Sequence, residues 1–336
     1  MHRALVAACF LALLVSTAPA QEDAARAFLR SVVGFSDAQI AAVEAGQVVT
    51  KQLPAADKPE VPAFGAVRVR GDQAAFVRQL RRNVGVARRG ASILQAGRFS
   101  RPPRIEDLAG LTVDEGDFEA ARECKPGDCG IKLSRSAMER IRGEIDWKAA
   151  DARARATGLV KQMLVEYTAA YMRGGTAEMA TYVDKDRPLE TPAEFRKLLA
   201  ASPYLVEYVP ALHRYVEEYP KVSLAGAEDV FCWYKDKFAP KPTISVDHVT
   251  TWTDPERNIA LIVTKRIYSS HYFQAGLDVR AVVAAPGGGF YVMDLYRARI
   301  DPPTGMLSGA LLGKIRSGVE HAVGDDLRAQ AALPAR

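Results

Sequence analysis

Three stretches decide the fold: Thr243-Ile-Ser-Val-Asp-His-Val-Thr-Thr-Trp252, Asn258-Ile-Ala-Leu-Ile-Val-Thr-Lys-Arg-Ile-Tyr268 and Phe290-Tyr-Val-Met-Asp-Leu-Tyr-Arg-Ala-Arg-Ile300. Each is rich in β-branched and aromatic residues, which is how a strand reads. Asp254-Pro255 separates the first two, and Pro286-Gly287-Gly288 precedes the third. Both are turn signals. With residues 229–235 before them and 270–284 between, the region predicts five consecutive strands. Short connections make such a run an antiparallel meander.

Outward from the meander the pattern changes on both sides. Residues 305–332 read as one long helix, with Leu307, Leu311, Ile315, Val319 and Ala322 at helical spacing and Gly309 and Gly313 beside that stripe. Residues 136–224 also read as helical. Ser136-Ala-Met-Glu139 has the form of a capping box, Asp146 is placed to cap a long helix ending at Gly174-Gly175, and Thr191-Pro192-Ala-Glu194 opens another. Near the N-terminus, Ser36-Asp-Ala-Gln39 starts the second of two short helices. Strands are expected at 47–53, 63–69, 92–99 and 110–113, with a helix from Asp72 to Asn83. The division is then a leader (1–20), N-terminal helices (21–46), a discontinuous α+β domain (47–134 and 225–332) and a helical insertion (135–224).

Composition agrees with a folded, globular chain. Of 336 residues 48% are apolar and 25% charged, enough apolar material to offset the ordering entropy; 25 Gly and 19 Pro exclude collagen-like or low-complexity sequence. The net charge of +5 comes from 45 basic and 40 acidic residues spread along the chain, so no nucleic-acid partner is implied.

The leader carries an address. His2 and Arg3 precede an apolar run over 4–15, and Ser16-Thr-Ala-Pro-Ala20 ends in small residues. This is the form of a secretory signal peptide cleaved after Ala20, leading to the periplasm or the outside. The run is too short for a transmembrane anchor, which takes about 20 residues. Val6-Ala-Ala-Cys9 has the look of a lipoprotein box, but it lies before most of the apolar run. Export leaves Cys124, Cys129 and Cys232. In Cys124-Lys-Pro-Gly-Asp-Cys129 the Pro-Gly turn folds the chain back, and an oxidising compartment favours a disulfide there over a metal or redox pair. Cys232 falls in an apolar strand and reads as buried.

The element order resembles the START-like helix-grip fold over 47–133 and 227–332. That resemblance implies a curved antiparallel sheet wrapped on the terminal helix, with an apolar cavity between the two. The strings at 244–249, 268–273 and 124–133 are also similar to segments of exported bacterial proteins that carry no assigned activity.

The densest polar stretch is Lys265-Arg-Ile-Tyr-Ser-Ser-His-Tyr-Phe273. On a straight strand Ser269 and His271 share a face. They suggest a pocket lining of Ser269, His271 and Tyr272, with Arg297 and Arg299 as an anchor for an anionic head group. A hydrolase with His271 as base and Ser269, Tyr272 or Asp247 assisting is the weaker reading, because no G-x-S-x-G elbow holds the serine. No catalytic residue is assigned. His248 and His271 lack metal-ligand spacing, so neither a metal nor another cofactor is expected. The basic residues Arg78, Arg81, Arg82, Arg88 and Arg89 lack the aromatic interleaving of a nucleic-acid surface. Binding of a small apolar or lipid-like ligand is therefore the first functional expectation. An envelope-interaction protein, with its protein partner unspecified, is the second.

Overall fold

A computed structural model describes residues 24–84 and 92–333. The leader, Cys9 and Arg88-Arg89 lie outside the described residues. Helices α1 (Ala24–Ser31) and α2 (Asp37–Glu44) precede strands β1 (Val49–Gln52) and β2 (Glu60–Val69), helix α3 (Gln73–Asn83) and strand β3 (Ile93–Arg98). Helices α4 (Glu115–Glu123), α5 (Arg135–Glu144) and α6 (Ala152–Gly174) follow. A small ribbon of β4 (Thr181–Tyr182) and β5 (Leu189–Glu190) leads to α7 (Thr191–Ala200), α8 (Pro203–Tyr208) and α9 (Pro210–Glu218). Strands β6 (Glu228–Asp236), β7 (Thr243–Asp254), β8 (Ile259–Ser269), β9 (Phe273–Ala284) and β10 (Phe290–Ile300) come next, and α10 (Ser308–Ala331) closes the chain.

The class is α+β. One antiparallel sheet of eight strands runs in the order β1-β2-β10-β9-β8-β7-β6-β3, so the meander occupies its centre and the three early strands flank it. Period-two alternation gives the sheet two apolar faces. On one, Ala63, Val67 and Val69 of β2 and Phe290 and Val292 of β10 join Phe76 and Leu80 of α3 and Leu312, Val319, Val323 and Leu327 of α10. On the other, Phe64 and Ala66 of β2 and Tyr291, Met293 and Leu295 of β10 join α1, α2, α6, α7, α8 and α9. A third cluster holds α4, α5 and the first half of α6 around Cys124, Met138, Ile141 and Leu159.

Helix α10 lies against β2 at Gly65, where a Cβ would stand 2.5 Å from Leu327 Cδ1. Glycine is what permits this close approach. Of the stripe its apolar spacing suggests, Ile315 and Val319 face the core, and the seat continues through Val323 and Leu327 instead of Ala322. Leu307 and Leu311 are exposed, and Gly309 and Gly313 face open space.

Several local expectations shift. Ser134, not Ser136, caps α5, accepting from the Ala137 N–H at 3.2 Å. Asp146 receives the Lys148 N–H in a turn, and α6 begins after Asp151. Thr191 is the first residue of α7 and not its cap. Residues 110–113 form no strand, because Thr112 is tied to the side chains of Gln95 and Lys235 instead of to a ladder. The disulfide Cys124–Cys129 is formed, with Cα atoms 4.5 Å apart, and Cys232 is buried in β6. No helix among the described residues is long and apolar enough to cross a membrane.

Candidate functional site

The connection between β8 and β9 carries three of the residues singled out above. The ladder ends at Ser269, and the chain turns through Ser270, His271 and Tyr272, with Tyr272 at φ 57°. That left-handed conformation is uncommon for a bulky residue. The surroundings hold it: the Asp301 N–H donates to the Tyr272 carbonyl at 2.7 Å, and the Tyr272 hydroxyl accepts from the Lys241 N–H at 3.0 Å. Ser269 gives its hydroxyl hydrogen to the His271 carbonyl at 2.7 Å, not to the imidazole. His271 Nε2 instead meets Asp117 Oδ1 of α4 at 2.9 Å, and both side chains are buried. Asp247 pairs with Arg266. Ser269, His271 and Asp247 therefore do not form a serine–histidine–acid relay.

Arg297 and Arg299 point to the face away from α10, and acidic partners hold both. Arg297 pairs with Glu60 of β2 and donates to the Tyr204 hydroxyl at 3.2 Å. Arg299 holds Asp57 with two hydrogen bonds of 2.7 Å and also pairs with Glu194 of α7. Burial opposes the charge on both guanidiniums, yet these partners raise their proton affinity. Bidentate pairing of this kind ties β10 to α7 and the loop before β2. These partners occupy all three nitrogens of Arg299 and two of Arg297, and neither arginine joins His271 in one pocket.

A cavity of about 340 Å³ lies nearby, between α4, α5, α6 and the ends of β7 and β8. It is on the face of the sheet opposite α10, whereas the helix-grip resemblance implies one beneath that helix. Its walls are Phe118, Ile141, Trp147, Leu159, Met163 and Ile244, among others. Polar groups are few. Arg140 and Glu166 stand at the exposed side and pair with each other, Arg140 also reaching Glu144 at 2.9 Å. Tyr167, Tyr268, Ser270 and Asp117 supply the rest, with Ser134 and Ser136. Tyr167 donates its hydrogen to the Ile267 carbonyl, and Tyr268 donates to the Lys132 carbonyl at 3.4 Å. Burial raises both phenols, and the charges of Asp117 and Asp184 raise Tyr268 further, so both stay neutral. None of the pocket residues expected from sequence lines this cavity: the wall holds Tyr268 and Ser270, chain neighbours of Ser269 and His271, and Asp117, the partner of His271, while Tyr272 packs with Phe238 in the cluster on the α10 side.

A second polar cluster lies deeper on the same face. His248 of β7 is stacked on Phe231 with centroids 4.6 Å apart. Its Nε2 meets Asp229 Oδ1 at 2.9 Å and its Nδ1 meets the Tyr171 hydroxyl at 3.2 Å. Asp229 also accepts from Tyr215 at 2.6 Å and Thr250 at 2.8 Å. Burial lowers the proton affinity of His248, although Asp229 opposes this. A neutral imidazole that donates from Nε2 to Asp229 and accepts at Nδ1 from Tyr171 satisfies every contact. Burial alone would raise the Asp229 carboxyl, but the hydrogen bonds from His248, Tyr215 and Thr250 bring it below the usual range. Beside this cluster Lys265 of β8 is 1% exposed. Its Nζ donates to Thr176 Oγ1 at 2.6 Å and lies 4.2 Å from the centre of the Phe195 ring. Both nitrogens of His248 are committed and its side chain is buried, an arrangement that ties α6 and α9 to the sheet.

Asp117, Tyr167 and Tyr268 were not legible as site residues. Asp117 sits in Asp114-Glu-Gly-Asp-Phe118, where Gly116 interrupts the helical pattern, and only its acidic first turn marks a helix start. Among the described residues no group of three or more His, Cys, Asp or Glu is placed to hold a metal ion. Compared with known proteins, the chain matches no family model, and no curated protein is significantly similar to it.

Proposed function

We propose that this protein is exported and binds a compact apolar or weakly amphipathic small molecule between its helical block and its sheet, without chemical turnover. The observation that carries the reading is the apolar cavity of about 340 Å³. That volume lies at the lower end of small-molecule sites, which combine apolar walls with a few placed polar groups. A site of this size suits a single short chain or a fused-ring molecule, not a full two-chain lipid. Export rests on the leader at 1–20 and agrees with the Cys124–Cys129 disulfide.

The test is fluorescence titration with N-phenyl-1-naphthylamine, an apolar probe that brightens when removed from water. Saturable one-to-one binding is the expected result, with Met163→Trp, which fills the cavity, weakening it at least about tenfold. If the probe fails to bind, or binds equally well to Met163→Trp, the reading is lost. N-terminal sequencing of protein recovered from the exporting cell should begin at Gln21.

A further inference from the structure

Resting on the binding function proposed above, a further constraint on the occupant comes from the polar groups of the cavity. Asp117 is the one carboxylate placed against the inner wall, and its side chain is 8% exposed. Oδ1 is taken by His271 Nε2, and Oδ2 makes no hydrogen bond to any of the described residues. Oδ2 keeps some accessible surface, and Asp117 is part of the cavity wall. A carboxylate oxygen facing an apolar cavity is costly unless a donor meets it.

The two phenols near it have spent their hydrogens on the carbonyls of Ile267 and Lys132, so they offer only lone pairs. The hydroxyls of Ser134, Ser136 and Ser270 can serve either way. Arg140 is the only cation of the lining, and it is already shared between Glu144 and Glu166. The lining thus sets two carboxylates against one guanidinium. Phe118, Trp147, Tyr167 and Tyr268 add aromatic rings, a side-chain class that attracts cations.

We infer that the cavity selects a hydrophobic amine, an alkyl or aryl body with a protonated nitrogen that donates to Asp117 Oδ2. The body fills the space between α5 and α6, and the ammonium lies at the α4 wall beside the two tyrosine oxygens. An anionic amphiphile of the same length is excluded, because its carboxylate would face Asp117 with Arg140 already engaged.

The experiment is displacement of bound N-phenyl-1-naphthylamine at pH 8 by octylammonium, octanol and octanoate, which share one chain and differ in head group. Octylammonium should bind most tightly and octanoate least. Asp117→Asn keeps an oxygen to accept from His271 while removing the charge. It should weaken octylammonium by about 10- to 100-fold, the range of a charge-assisted hydrogen bond, and leave octanol nearly unchanged. If octylammonium binds wild-type protein no better than octanol, the inference is overturned while cavity binding stands. An amine preference that survives Asp117→Asn overturns it equally. Should the variant fail to fold, the wild-type ranking of the three head groups decides alone. If the naphthylamine probe itself does not bind, the cavity reading falls and takes the inference with it.

Discussion

Replacing Lys265 with methionine should make the protein more stable at neutral pH, and the gain should fade as the solution becomes alkaline. The ammonium is buried among Phe195, Tyr171 and α9, with Thr176 Oγ1 at 2.6 Å and the Val216 carbonyl at 3.4 Å as its acceptors. Burial pushes its pKa from an ordinary 10.5 down to about 7, with attraction to Glu217 only partly opposing. At ~1.4 kcal/mol per pH unit, that displacement corresponds to roughly 5 kcal/mol. Between pH 7 and 10.5 the unfolded chain holds a proton that the native state has released, so stability rises with pH across that window. Below pH 7 both states are protonated, and the native state carries the whole cost of a desolvated charge. Methionine has a similar length and no charge, and such replacements gain about 1–4 kcal/mol when they pack well. Urea unfolding of both proteins at pH 6.5, 7.5 and 9.0 is the assay. The variant should be the more stable at pH 6.5. From pH 7.5 to 9.0 the wild type should recover about 2 kcal/mol relative to it. Curves that run parallel across this range would refute the argument, because titrating groups remote from Lys265 cancel in the comparison.

Other substitutions probe the frame. Gly175 ends α6 at φ 66°, and a Cβ there would lie 1.6 Å from the Tyr219 carbonyl oxygen; Gly175→Ala should cost at least ~3 kcal/mol, seen as a large fall in melting temperature. Leu327→Ala should cost about 3 kcal/mol in urea unfolding, while Leu311→Ala, 48% exposed on the same helix, should stay within ~0.5 kcal/mol. Equal effects of the two would show that α10 is seated on the wrong face. Opening the Cys124–Cys129 disulfide, whose cysteines are five apart in sequence, should lower stability by only about 2 kcal/mol. Thermal melts of Cys129→Ser against wild type would measure it, and an unfolded variant would contradict the short-loop argument.

The meander was legible because its signals are local. Alternation defines β6 to β10, and Asp254-Pro255 and Pro286-Gly287-Gly288 mark two of the turns. The β8–β9 break was less clear, because Tyr272 adopts its left-handed backbone without a glycine to announce it. The stripe of α10 was only partly legible, for a different reason: Ile315 and Val319 face the core, but Leu307 and Leu311 do not. Apolar residues lie on more than one side of this helix, and the choice falls to Gly65, whose bare backbone receives Leu327 and Val323. Arg297 and Arg299 look like a solvated or ligand-binding pair until Asp57, Glu60 and Glu194 are brought beside them. Asp117 and His271 are likewise 154 residues apart. Spacing along a chain carries no information about such partners, so the site was legible only as a neighbourhood around residues 268–272.

The position of β2 has a consequence for how the chain assembles. β2 lies between β1 and β10, and Gly65 waits for Leu327 of α10. While the polypeptide is being made, the meander can zip from neighbour to neighbour, but this seam has no partner until the final strand and helix emerge. Pairings this distant in sequence are slow to nucleate, and an unsatisfied strand edge invites association with other molecules. The vulnerable species is therefore a nearly complete chain lacking its last elements, with the β10 edge of β2 still unpaired, and it is there that truncation or delayed release would divert folding into aggregation.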